Sequence, residues 1–446
     1  MFKKILIANR GDIAVRVLRA CKEIGISTVA VHSEIDSNLM NVLLADESVC
    51  IGPNRAMDSY LNISAILSAA ELTRVDALHP GVGFLSENSK FAKIVGEHNV
   101  KFIGPSPEHI SMMGDKIIAK KTIFEFGIPI IPGSKGEVIS VQQSIEIAKD
   151  IGYPVIFKAT NGGGGKGMKI ANNEDEIANA FSMAKGEAKT NFNDDNVYME
   201  KYLANPRHIE IQIIADNYGN VVYLGERDCS IQRNHQKLLE ESPSPALSKK
   251  DREKIGKIVV NAISKMGYVG VGTIEFLYEN NEFFFMEMNT RIQVEHSVTE
   301  MVTGIDIVKE QIRIAAGEKL SFSQSDVKIN GHAIEFRINA EDPQTFIPTP
   351  GMITELYFPG GIGVRIDSHV YRGYKIPQYY DSLVAKLIVH GKDREECLAR
   401  GERALSEIVI EGISTTTELH KKLVQNKEVI NGDYNIHWLE RNLKNL

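Results

Sequence analysis

Alternation between strand-like and helix-like segments in the first quarter of the chain constrains the fold more than any other sequence feature. An apolar run ending at Ala8 is followed by helical spacing of apolar residues as far as Cys21, and then by the strand-like Ser27–His32. The further strand candidates "SVCIG", "ALHPG" and "VKFIG" are separated by helical stretches. Strands that alternate with helices are typical of an open parallel sheet. We therefore predict an α/β, Rossmann-like domain over residues 1–114.

The turn after the first strand is not that of a dinucleotide-binding protein. It reads "ANRGDIAV", whereas a dinucleotide site requires GxGxxG at this place. The later "GVGFLS" is only a partial match to that motif. We do not expect the domain to bind NAD.

Composition narrows the class of protein and its partners. The 446 residues are enough for roughly three domains with sizeable cores. Hydrophobic residues make up 43% and charged residues 24%, as in ordinary globular proteins. A net charge of −7 argues against nucleic acid as the main partner.

The cysteines and the apolar runs indicate the compartment. The cysteines are scattered with no CxxC spacing, which disfavours a zinc site or a disulfide framework and suits a reducing cytoplasm. The N-terminal apolar run is shorter than the about 7–15 residues of a signal peptide. No stretch approaches the about 18 apolar residues of a membrane span. We expect a cytoplasmic protein with no membrane segment.

Two further domains are predicted, at residues 115–330 and 331–446. Asp115 is placed to cap a helix, and Lys116 then lies in its first turn. In "PRHIEIQIIAD" the isoleucines alternate with His208, Glu210 and Gln212, which predicts a half-buried strand. The last domain is predicted to be rich in short strands and to end in amphipathic helices.

Four consecutive glycines, Gly162–Gly165, stand between two strand-like runs. Glycine allows close approach of the backbone, so the N–H groups of such a loop can point at phosphate oxygens. The loop does not match GxxxxGK[ST], and a flexible hairpin is the alternative. Lys158 on the preceding strand is expected to be partly buried and to need an anionic partner. Lys116 is either a phosphate ligand or a solvated lysine.

The stretch "MEMNTRIQVEH" places polar side chains at every second position. If it is extended, Glu287 and Asn289 share one face. A hairpin with an odd number of loop residues would place Glu275 opposite Glu287. Two carboxylates and an amide oxygen form a ligand set that suits Mg²⁺ or Mn²⁺. A carboxylate pair that shares a proton is the alternative.

Arg291, Gln293 and Glu295 continue the same face. A guanidinium binds a small planar oxyanion such as a carboxylate or bicarbonate through two hydrogen bonds. The carboxylate of Glu295 could act as a general base beside that anion. A surface ladder of salt bridges is the structural alternative.

A series of motifs in one order resembles the biotin carboxylase family, a branch of the ATP-grasp ligases. They are "ANRGDIAVRVLRACKE", "HPGVGFLSEN", "FIGP", "MGDK", "KATNGGGGKGM", "GERDCSIQRNHQK", "EMNTRIQVEH", "MVTGIDIVK" and "EFRINAEDP". The resemblance runs from Ile5 to about Ser382. It implies a central ATP-grasp domain with a glycine-loop lid at about 131–203, and a C-terminal β-rich α+β domain.

The resemblance also implies a reaction and partners. ATP phosphorylates bicarbonate to carboxyphosphate, which releases CO₂ for transfer to N1′ of biotin. The implied cofactors and substrates are ATP, Mg²⁺ or Mn²⁺, bicarbonate and biotin. The only Met-Lys pair, Met168-Lys169, is followed by isoleucine, so the chain is not expected to carry its own biotin. The expected partners are a biotin carboxyl carrier protein, carboxyltransferase subunits and a second copy of the chain.

Residue roles follow from the matching motifs. The resemblance implies that ATP is bound by a set of residues spread over several motifs: Lys116, Lys158, Gly162, Gly163, Gly164, Gly165, Glu200, Lys201, Leu203, His208, Gln232 and His235. It implies metal ligation by Glu275, Glu287 and Asn289, and bicarbonate binding by Arg291, Gln293 and the backbone of Val294, with Lys237 nearby. Glu295 becomes the base that deprotonates bicarbonate, and Arg337 the cation that stabilises the biotin enolate.

The chain departs from the family's usual pattern at four positions. Val82 replaces a tyrosine, Lys166 and Asn234 each replace an arginine, and Ser297 replaces the proline of "EHPVTE". None of these changes removes a proposed catalytic group. The change at Asn234 removes a cation next to the site.

Other functions remain open from the sequence. Another ATP-grasp ligase, such as a carbamoyl-phosphate synthetase module, is disfavoured because there is no internal duplication. A catalytically silent nucleotide-binding protein is disfavoured because Glu275, Glu287, Arg291, Glu295 and Arg337 are all present. We expect the carboxylase to serve acetyl-CoA carboxylase, with a two-subunit pyruvate carboxylase as the alternative.

Overall fold

The computed structural model describes residues 1–160, 168–192 and 194–445. They fall into two compact units. The larger unit contains Met1–Ile128, Arg207–Phe276 and Met286–Leu446, and the smaller unit contains Pro129–Pro206 and Leu277–Phe285. The three-domain division at 114 and 330 stays a prediction. In the described part of the chain, no helix has both the length and the apolar character needed to cross a bilayer.

The larger unit begins with the predicted parallel sheet. Its elements, in chain order, are β1 (Lys4–Ile7), α1 (Gly11–Glu23), β2 (Ser27–His32), α2 (Met40–Leu44), β3 (Glu47–Cys50), α3 (Ile63–Thr73), β4 (Ala77–His79), α4 (Ser89–Glu97), β5 (Lys101–Phe102), α5 (Pro107–Gly114) and α6 (Lys116–Glu125). The strand order is β3-β2-β1-β4-β5, and neighbouring strands are parallel. The predicted fold class is confirmed here. Asp115 caps α6 as predicted, since its side chain accepts hydrogen bonds from the N–H groups of Ile117 and Ile118.

The smaller unit is α+β. Its elements are α7 (Val141–Ile151), β6 (Val155–Ala159), β7 (Met168–Ala171), α8 (Glu174–Phe192) and β8 (Val197–Lys201). Strand β6 pairs in antiparallel fashion with both β7 and β8. Its core comprises side chains from both helices and all three strands, including Phe157, Phe181 and Met199. The predicted glycine loop, Gly162–Gly165, lies outside the described residues.

The remaining elements build a large antiparallel sheet, two smaller sheets of two strands each, and the helices around them. In chain order they are β9 (Arg207–Ala215), β10 (Val221–Arg233), β11 (Gln236–Ser242), α9 (Lys249–Met266), β12 (Gly270–Glu279), β13 (Glu282–Asn289), α10 (His296–Thr303), α11 (Ile307–Ala315), β14 (His332–Asn339), β15 (Gly351–Met352), β16 (Glu355–Tyr357), β17 (Val364–Ser368), β18 (Lys375–Ile376), β19 (Leu383–Gly391), α12 (Arg394–Glu407), β20 (Val409–Glu411), α13 (Thr417–Gln425), α14 (Lys427–Asn431) and α15 (Trp438–Asn442). The strand order of the large sheet is β13-β12-β9-β10-β11-β14-β19-β17, and the two-stranded sheets are β15-β18 and β16-β20.

The parallel sheet and the large sheet of the larger unit share one hydrophobic core. Ile5, Ile7 and Val17 of the N-terminal elements pack in the same cluster as Val271 and Ile292. Ile292 lies in the segment that connects β13 to α10. The shared core therefore fixes the connecting segment on which Arg291, Gln293 and Glu295 stand.

Two sequence expectations about these strands were wrong. Strand β9 is buried on both faces, because Glu210 and Gln212 are fully inaccessible to solvent alongside the isoleucines. The β12–β13 hairpin has a two-residue loop, Asn280–Asn281, and not an odd number of residues. Both loop residues have positive φ, as in the turns that close two-residue hairpins.

Candidate active site

A face of the large sheet carries a cluster of charged side chains that is almost closed to solvent. Five strands of the sheet each contribute one or two residues to the cluster: His208 and Glu210 from β9, Arg227 from β10, Lys237 from β11, Glu275 from β12 and Arg337 from β14. Glu295 joins them from the residue just before α10. A buried side chain stays charged only when it is paired and hydrogen-bonded. The charge of each residue in the cluster therefore depends on its neighbours.

Lys237 is the centre of this cluster. Its Nζ donates to Glu210 Oε2 at 2.6 Å, to Glu275 Oε1 at 3.0 Å and to Glu295 Oε1 at 2.6 Å. Burial opposes the charge, but the three carboxylates outweigh it and raise the pKa of Lys237 well above its usual value. The ammonium is therefore a permanent cation, and its three protons are all used.

Glu295 lies between two cations. Its Oε2 accepts a hydrogen bond from Arg337 at 2.9 Å, while its Oε1 accepts the one from Lys237. Burial works to raise the pKa of this carboxyl, but Lys237, Arg337 and Arg227 together hold it well below its ordinary range. Glu295 is therefore ionised at neutral pH and able to accept a proton.

Arg337 and a deeper arginine complete the charge balance. Arg337 Nε also donates to Glu240 Oε1 at 2.5 Å. Arg227 is fully buried and pairs with Glu210, while its other donors reach Gln212 Oε1 at 2.7 Å and Thr299 Oγ1 at 2.9 Å. The strands thus hold every long cationic side chain of the cluster from more than one side.

The segment 289–293 brings the predicted bicarbonate residues together. Arg291 donates to Glu87 Oε2 at 2.8 Å, to Gln293 Oε1 at 2.8 Å and to Asn289 Oδ1 at 3.0 Å. Asn289 Nδ2 and Gln293 Nε2 then donate to Glu275 Oε1 at 2.8 and 2.7 Å. The guanidinium is thus oriented by three fixed acceptors, and the alternative of a solvated surface ladder is wrong for these residues.

Two of the three predicted metal ligands are in contact, since Asn289 Nδ2 donates to Glu275 Oε1, and the charge of Glu275 acts on the third, Glu287. Glu287 keeps access to solvent, but desolvation by the surrounding protein and repulsion by Glu275 both raise its pKa. A divalent cation relieves such repulsion, and two carboxylates with an amide oxygen suit Mg²⁺ or Mn²⁺. The donor set of Glu275, Glu287 and Asn289 therefore fits the predicted metal. Ligand atoms of His208, Glu210 and Glu275 also lie within 4.8 Å of one another, beside this set.

Three other predicted site residues of the larger unit, Lys116, Gln232 and His235, are not part of the cluster. Lys116 is exposed at the first position of α6. His235 is exposed in the turn between β10 and β11, with positive φ, while Gln232 is buried on β10 opposite Lys237. His208 does join, since its Nε2 lies 2.8 Å from Glu275 Oε2.

The smaller unit holds its own predicted site residues. Lys158 is half-buried and its Nζ lies 2.7 Å from Glu200 Oε2, so the expectation of a partly buried lysine with an anionic partner is confirmed. Lys201 donates to the carbonyl of Tyr153 at 2.7 Å. Leu203 packs in a small apolar cluster with Ile131 and Phe284.

A cavity of about 780 Å³ opens beside Arg337 in the larger unit. Its lining includes Arg10, Val82, Val294 and Tyr380. Arg10 is held by Asp36 through two hydrogen bonds and stacks over the ring of Tyr380 at 4.2 Å. The cavity is large enough for a small organic substrate and places Arg337 on its wall.

Sequence reasoning missed several members of the cluster. The sequence places Glu210 on the polar side of its strand without giving it a role, and it singles out neither Arg227 nor Glu240, the partner of Arg337. The available signal was polar alternation in strands that lie at the centre of a sheet. Such alternation cannot reveal burial until the neighbouring strands are known.

Comparison with known proteins identifies the family. Three family models match in sequence order: the biotin carboxylase N-terminal domain at residues 1–110, the carbamoyl-phosphate synthase L chain ATP-binding domain at 115–323, and the biotin carboxylase C-terminal domain at 335–441. The biotin carboxylase of Haemophilus influenzae is 56% identical over 99% of both chains. A pyruvate carboxylase subunit of Methanothermobacter thermautotrophicus is 51% identical over 99% of this chain and 90% of its own length.

Solved structures agree with this grouping. The biotin carboxylase of Campylobacter jejuni, in its β,γ-ATP complex, has 49% identity and a TM-score of 0.91, with 99% of both chains covered. The biotin carboxylase domain of the 2-oxoglutarate carboxylase of Hydrogenobacter thermophilus has 48% identity and a TM-score of 0.90, covering 99% of this chain and 98% of its own. That structure is a dimer with MgADP, ADP and bicarbonate. The chain belongs to the biotin carboxylase family of ATP-grasp ligases.

Proposed function

We propose that this chain carboxylates biotin on a carrier protein, using ATP and bicarbonate, as the biotin carboxylase subunit of acetyl-CoA carboxylase. The observation that carries the chemistry is the ionised carboxylate of Glu295, held between Lys237 and Arg337. It stands two residues after Gln293, which accepts a hydrogen bond from the guanidinium of Arg291. A base next to an anion-binding arginine is what deprotonation of bound bicarbonate requires. The relatives that bind ATP, MgADP and bicarbonate support the same substrates.

In the proposed reaction, Arg291, Gln293 and the backbone of Val294 bind bicarbonate. An oxygen of Glu295 takes the bicarbonate proton, so that the dianion attacks the γ-phosphorus of ATP and ADP leaves. Carboxyphosphate then separates into CO₂ and phosphate. The released phosphate takes the N1′ proton of biotin, and Arg337 holds the enolate oxygen that this leaves while N1′ forms its bond to CO₂. A fixed cation beside a developing oxyanion lowers the barrier.

The remaining predicted residues serve ATP. Glu275, Glu287 and Asn289 would hold Mg²⁺ or Mn²⁺, which neutralises phosphate charge when it is bound. Lys116 and His208 of the larger unit are proposed phosphate ligands, and Gln232 and His235 are proposed to bind nucleotide. Lys158 of the smaller unit is proposed to bind phosphate, with Glu200, Lys201 and Leu203 at the adenine. The roles of Gly162, Gly163, Gly164 and Gly165 rest on the glycine run in the sequence and on the resemblance, since these residues lie outside the described part of the chain.

The decisive experiment is release of ADP by the purified chain with Mg²⁺, in the presence and absence of bicarbonate and free biotin. We expect ADP formation to require bicarbonate and to rise when biotin is added. ATP hydrolysis that is indifferent to both would contradict the proposal and favour another ATP-grasp reaction. A chain that binds ATP without turning it over would favour a catalytically silent nucleotide-binding protein.

The final acceptor needs a separate experiment, since relatives of similar identity are named for biotin carboxylase in one case and for pyruvate carboxylase in another. We expect the chain to support malonyl-CoA formation when it is combined with a biotinylated carrier protein and the carboxyltransferase subunits of acetyl-CoA carboxylase. Oxaloacetate formation with a pyruvate-specific carboxyltransferase, and no malonyl-CoA, would reverse the assignment.

A homodimer is proposed for this chain as well. The support is the dimer formed by the biotin carboxylase domain of the Hydrogenobacter thermophilus relative. The mass of the purified chain in solution tests it, and a mass equal to that of one chain at micromolar concentration would contradict it.

A further inference from the structure

The catalytic segment is held through its backbone carbonyls by two buried side chains. His296 Nδ1 lies 2.8 Å from the carbonyl oxygen of Gln293, and Lys386 Nζ donates to the carbonyl oxygen of Val294 at 2.6 Å. These two carbonyls belong to the residues just before Glu295. Their direction therefore sets where the side chains of Gln293 and Glu295 point.

Lys386 is built into the sheet and is not placed to touch a substrate. It is 1% exposed and stands on β19 directly opposite Arg337 of β14 and Asp367 of β17. Its Nζ lies 3.5 Å from a carboxylate oxygen of Asp12 and 3.7 Å from one of Asp367. The lysine is absent from the lining of the cavity beside Arg337, whereas Val294, which it holds, is part of that lining.

Ser297 is the second partner of Lys386. Its Oγ accepts a hydrogen bond from Lys386 at 3.0 Å and donates to Asp367 Oδ2 at 3.3 Å. It is fully buried at the second position of α10, where the family's usual motif has proline. Proline at the start of a helix fixes φ. Its missing N–H group costs no hydrogen bond there, because the first N–H groups have no partner within the helix. Serine removes that constraint and supplies two side-chain hydrogen bonds instead.

We propose that Lys386 and Ser297 are positioning residues for the proposed carboxylation reaction. Lys386 fixes the carbonyl of Val294, and the hydrogen bond from Lys386 to Ser297 ties the lysine to the start of α10. These hydrogen bonds replace the backbone rigidity that a proline gives at this position. The inference rests on the proposed function for its kinetic consequence, but the placement itself is a property of the fold.

The charges around Lys386 show why a neutral substitute is not equivalent. Asp12, Asp367 and Glu335 face the ammonium, and Arg365 is bound to Asp367 through two hydrogen bonds. Burial opposes the charge, but these carboxylates raise the pKa of Lys386, which stays protonated. The Ser297 variants are valuable because they leave all of these charges in place.

The test measures bicarbonate-dependent ADP release by the full chain. Lys386→Met should lower kcat by about 10- to 100-fold, because small displacements of catalytic groups have effects of this size. The KM for ATP should change by less than about twofold, since Lys386 contacts no proposed ATP ligand. Ser297→Gly, which loses both the hydroxyl and backbone stiffness, should lower kcat more than Ser297→Pro does. The exposed Lys392→Met is the matched control and should leave kcat unchanged.

A double variant gives the sharpest outcome. Adding Ser297→Pro to Lys386→Met should raise kcat by about fivefold over Lys386→Met alone, because the proline ring fixes φ without needing the lysine. No gain from proline, together with wild-type kcat in Ser297→Gly, would overturn the proposal. If Lys386→Met does not fold, the order of kcat in the Ser297→Gly and Ser297→Pro variants decides.

Amide hydrogen exchange separates this proposal from the proposed function. In Ser297→Gly the exchange of residues 290–296 should speed up by about tenfold or more, while the parallel sheet stays protected. This result would support the positioning role even if the wild-type chain releases no ADP. Unchanged exchange in this segment would overturn it, whatever the activity.

Discussion

The two sheets of the larger unit are both buried, but they are buried for different reasons. The central strand of the parallel sheet, β1, is apolar on both faces, since Ile5, Leu6 and Ile7 are fully inaccessible to solvent. The central strands of the antiparallel sheet are apolar on one face only, and their other face carries the Lys237 cluster. The first sheet is stabilised by the burial of apolar side chains. In the second sheet the burial of charged side chains costs desolvation free energy, and the ion pairs between them offset that cost.

Because of this difference, residues of the parallel sheet and residues of the charged sheet should contribute differently to stability and to catalysis. Apolar burial is non-directional, so a parallel-sheet residue contributes according to the area that it hides. A buried charge is directional, since its worth depends on the position of each partner. We therefore expect substitutions in one sheet to change stability alone and substitutions in the other to change activity first.

The largest effect is expected for Glu295→Gln. The amide keeps the size of the side chain but cannot accept the bicarbonate proton, so bicarbonate-dependent ADP release should fall by about 10²- to 10⁴-fold. ATP binding, followed by fluorescence or calorimetry, should persist. The exposed Glu97→Gln is the control, and turnover retained in Glu295→Gln would remove Glu295 from its role as base.

The second prediction concerns stability in the charged sheet. Lys237→Met leaves Glu210, Glu275 and Glu295 without their shared cation, and breaking a buried ion pair in this way costs about 3–5 kcal/mol. Lys149→Met removes an exposed pair with the single carboxylate of Glu174 and should cost at most about 1 kcal/mol. Urea unfolding measures both. Equal losses in the two variants would mean that burial of the cluster does not set its energetics.

The third prediction tests the apolar sheet. Leu6→Ala removes a fully buried side chain from the middle of the parallel sheet and should lower the free energy of unfolding by about 2–5 kcal/mol. At a temperature where the variant is still folded, its kcat should equal that of the wild type. A large fall in kcat without a matching loss of stability would contradict the separation between the two sheets.

The same difference explains what the sequence could predict. The parallel sheet was predictable because short strand-like runs, such as the apolar run of β1, alternate with helical spacing, and this signal is local. The residues of "EMNTRIQVEH" were predictable as a site because their chemistry lies in one segment. The half-buried assignment of β9 failed, and Glu240 and Lys386 were missed, because burial of a polar strand face depends on which strands pair with it. That pairing joins residues far apart in the chain, such as Glu240 with Glu335.

The smallest effect is expected at Glu335, a buried carboxyl of the charged sheet that makes no hydrogen bond through either side-chain oxygen within the described residues. Burial raises its pKa from 4.5 to about 7, and repulsion by Glu295 and Asp367 adds to this, against attraction by Lys386 and Arg337. A raised pKa means that the folded protein favours the neutral carboxyl. Its stabilising contribution is therefore complete below pH 4.5 and is lost as the pH rises through about 7.

Glu335→Gln removes this ionisation while keeping the shape of the side chain. Relative to the wild type, the variant should gain stability as the pH rises from about 5 to about 8, so the difference between their urea midpoints should grow in that direction. The same measurement on the exposed Glu97→Gln should give parallel curves. Parallel curves for Glu335→Gln as well would mean that its charge is fully offset by Lys386 and Arg337. In that case Glu335 would be ionised in the folded protein without loss of stability. Burial would then cost the charged sheet less free energy than its low exposure to solvent predicts.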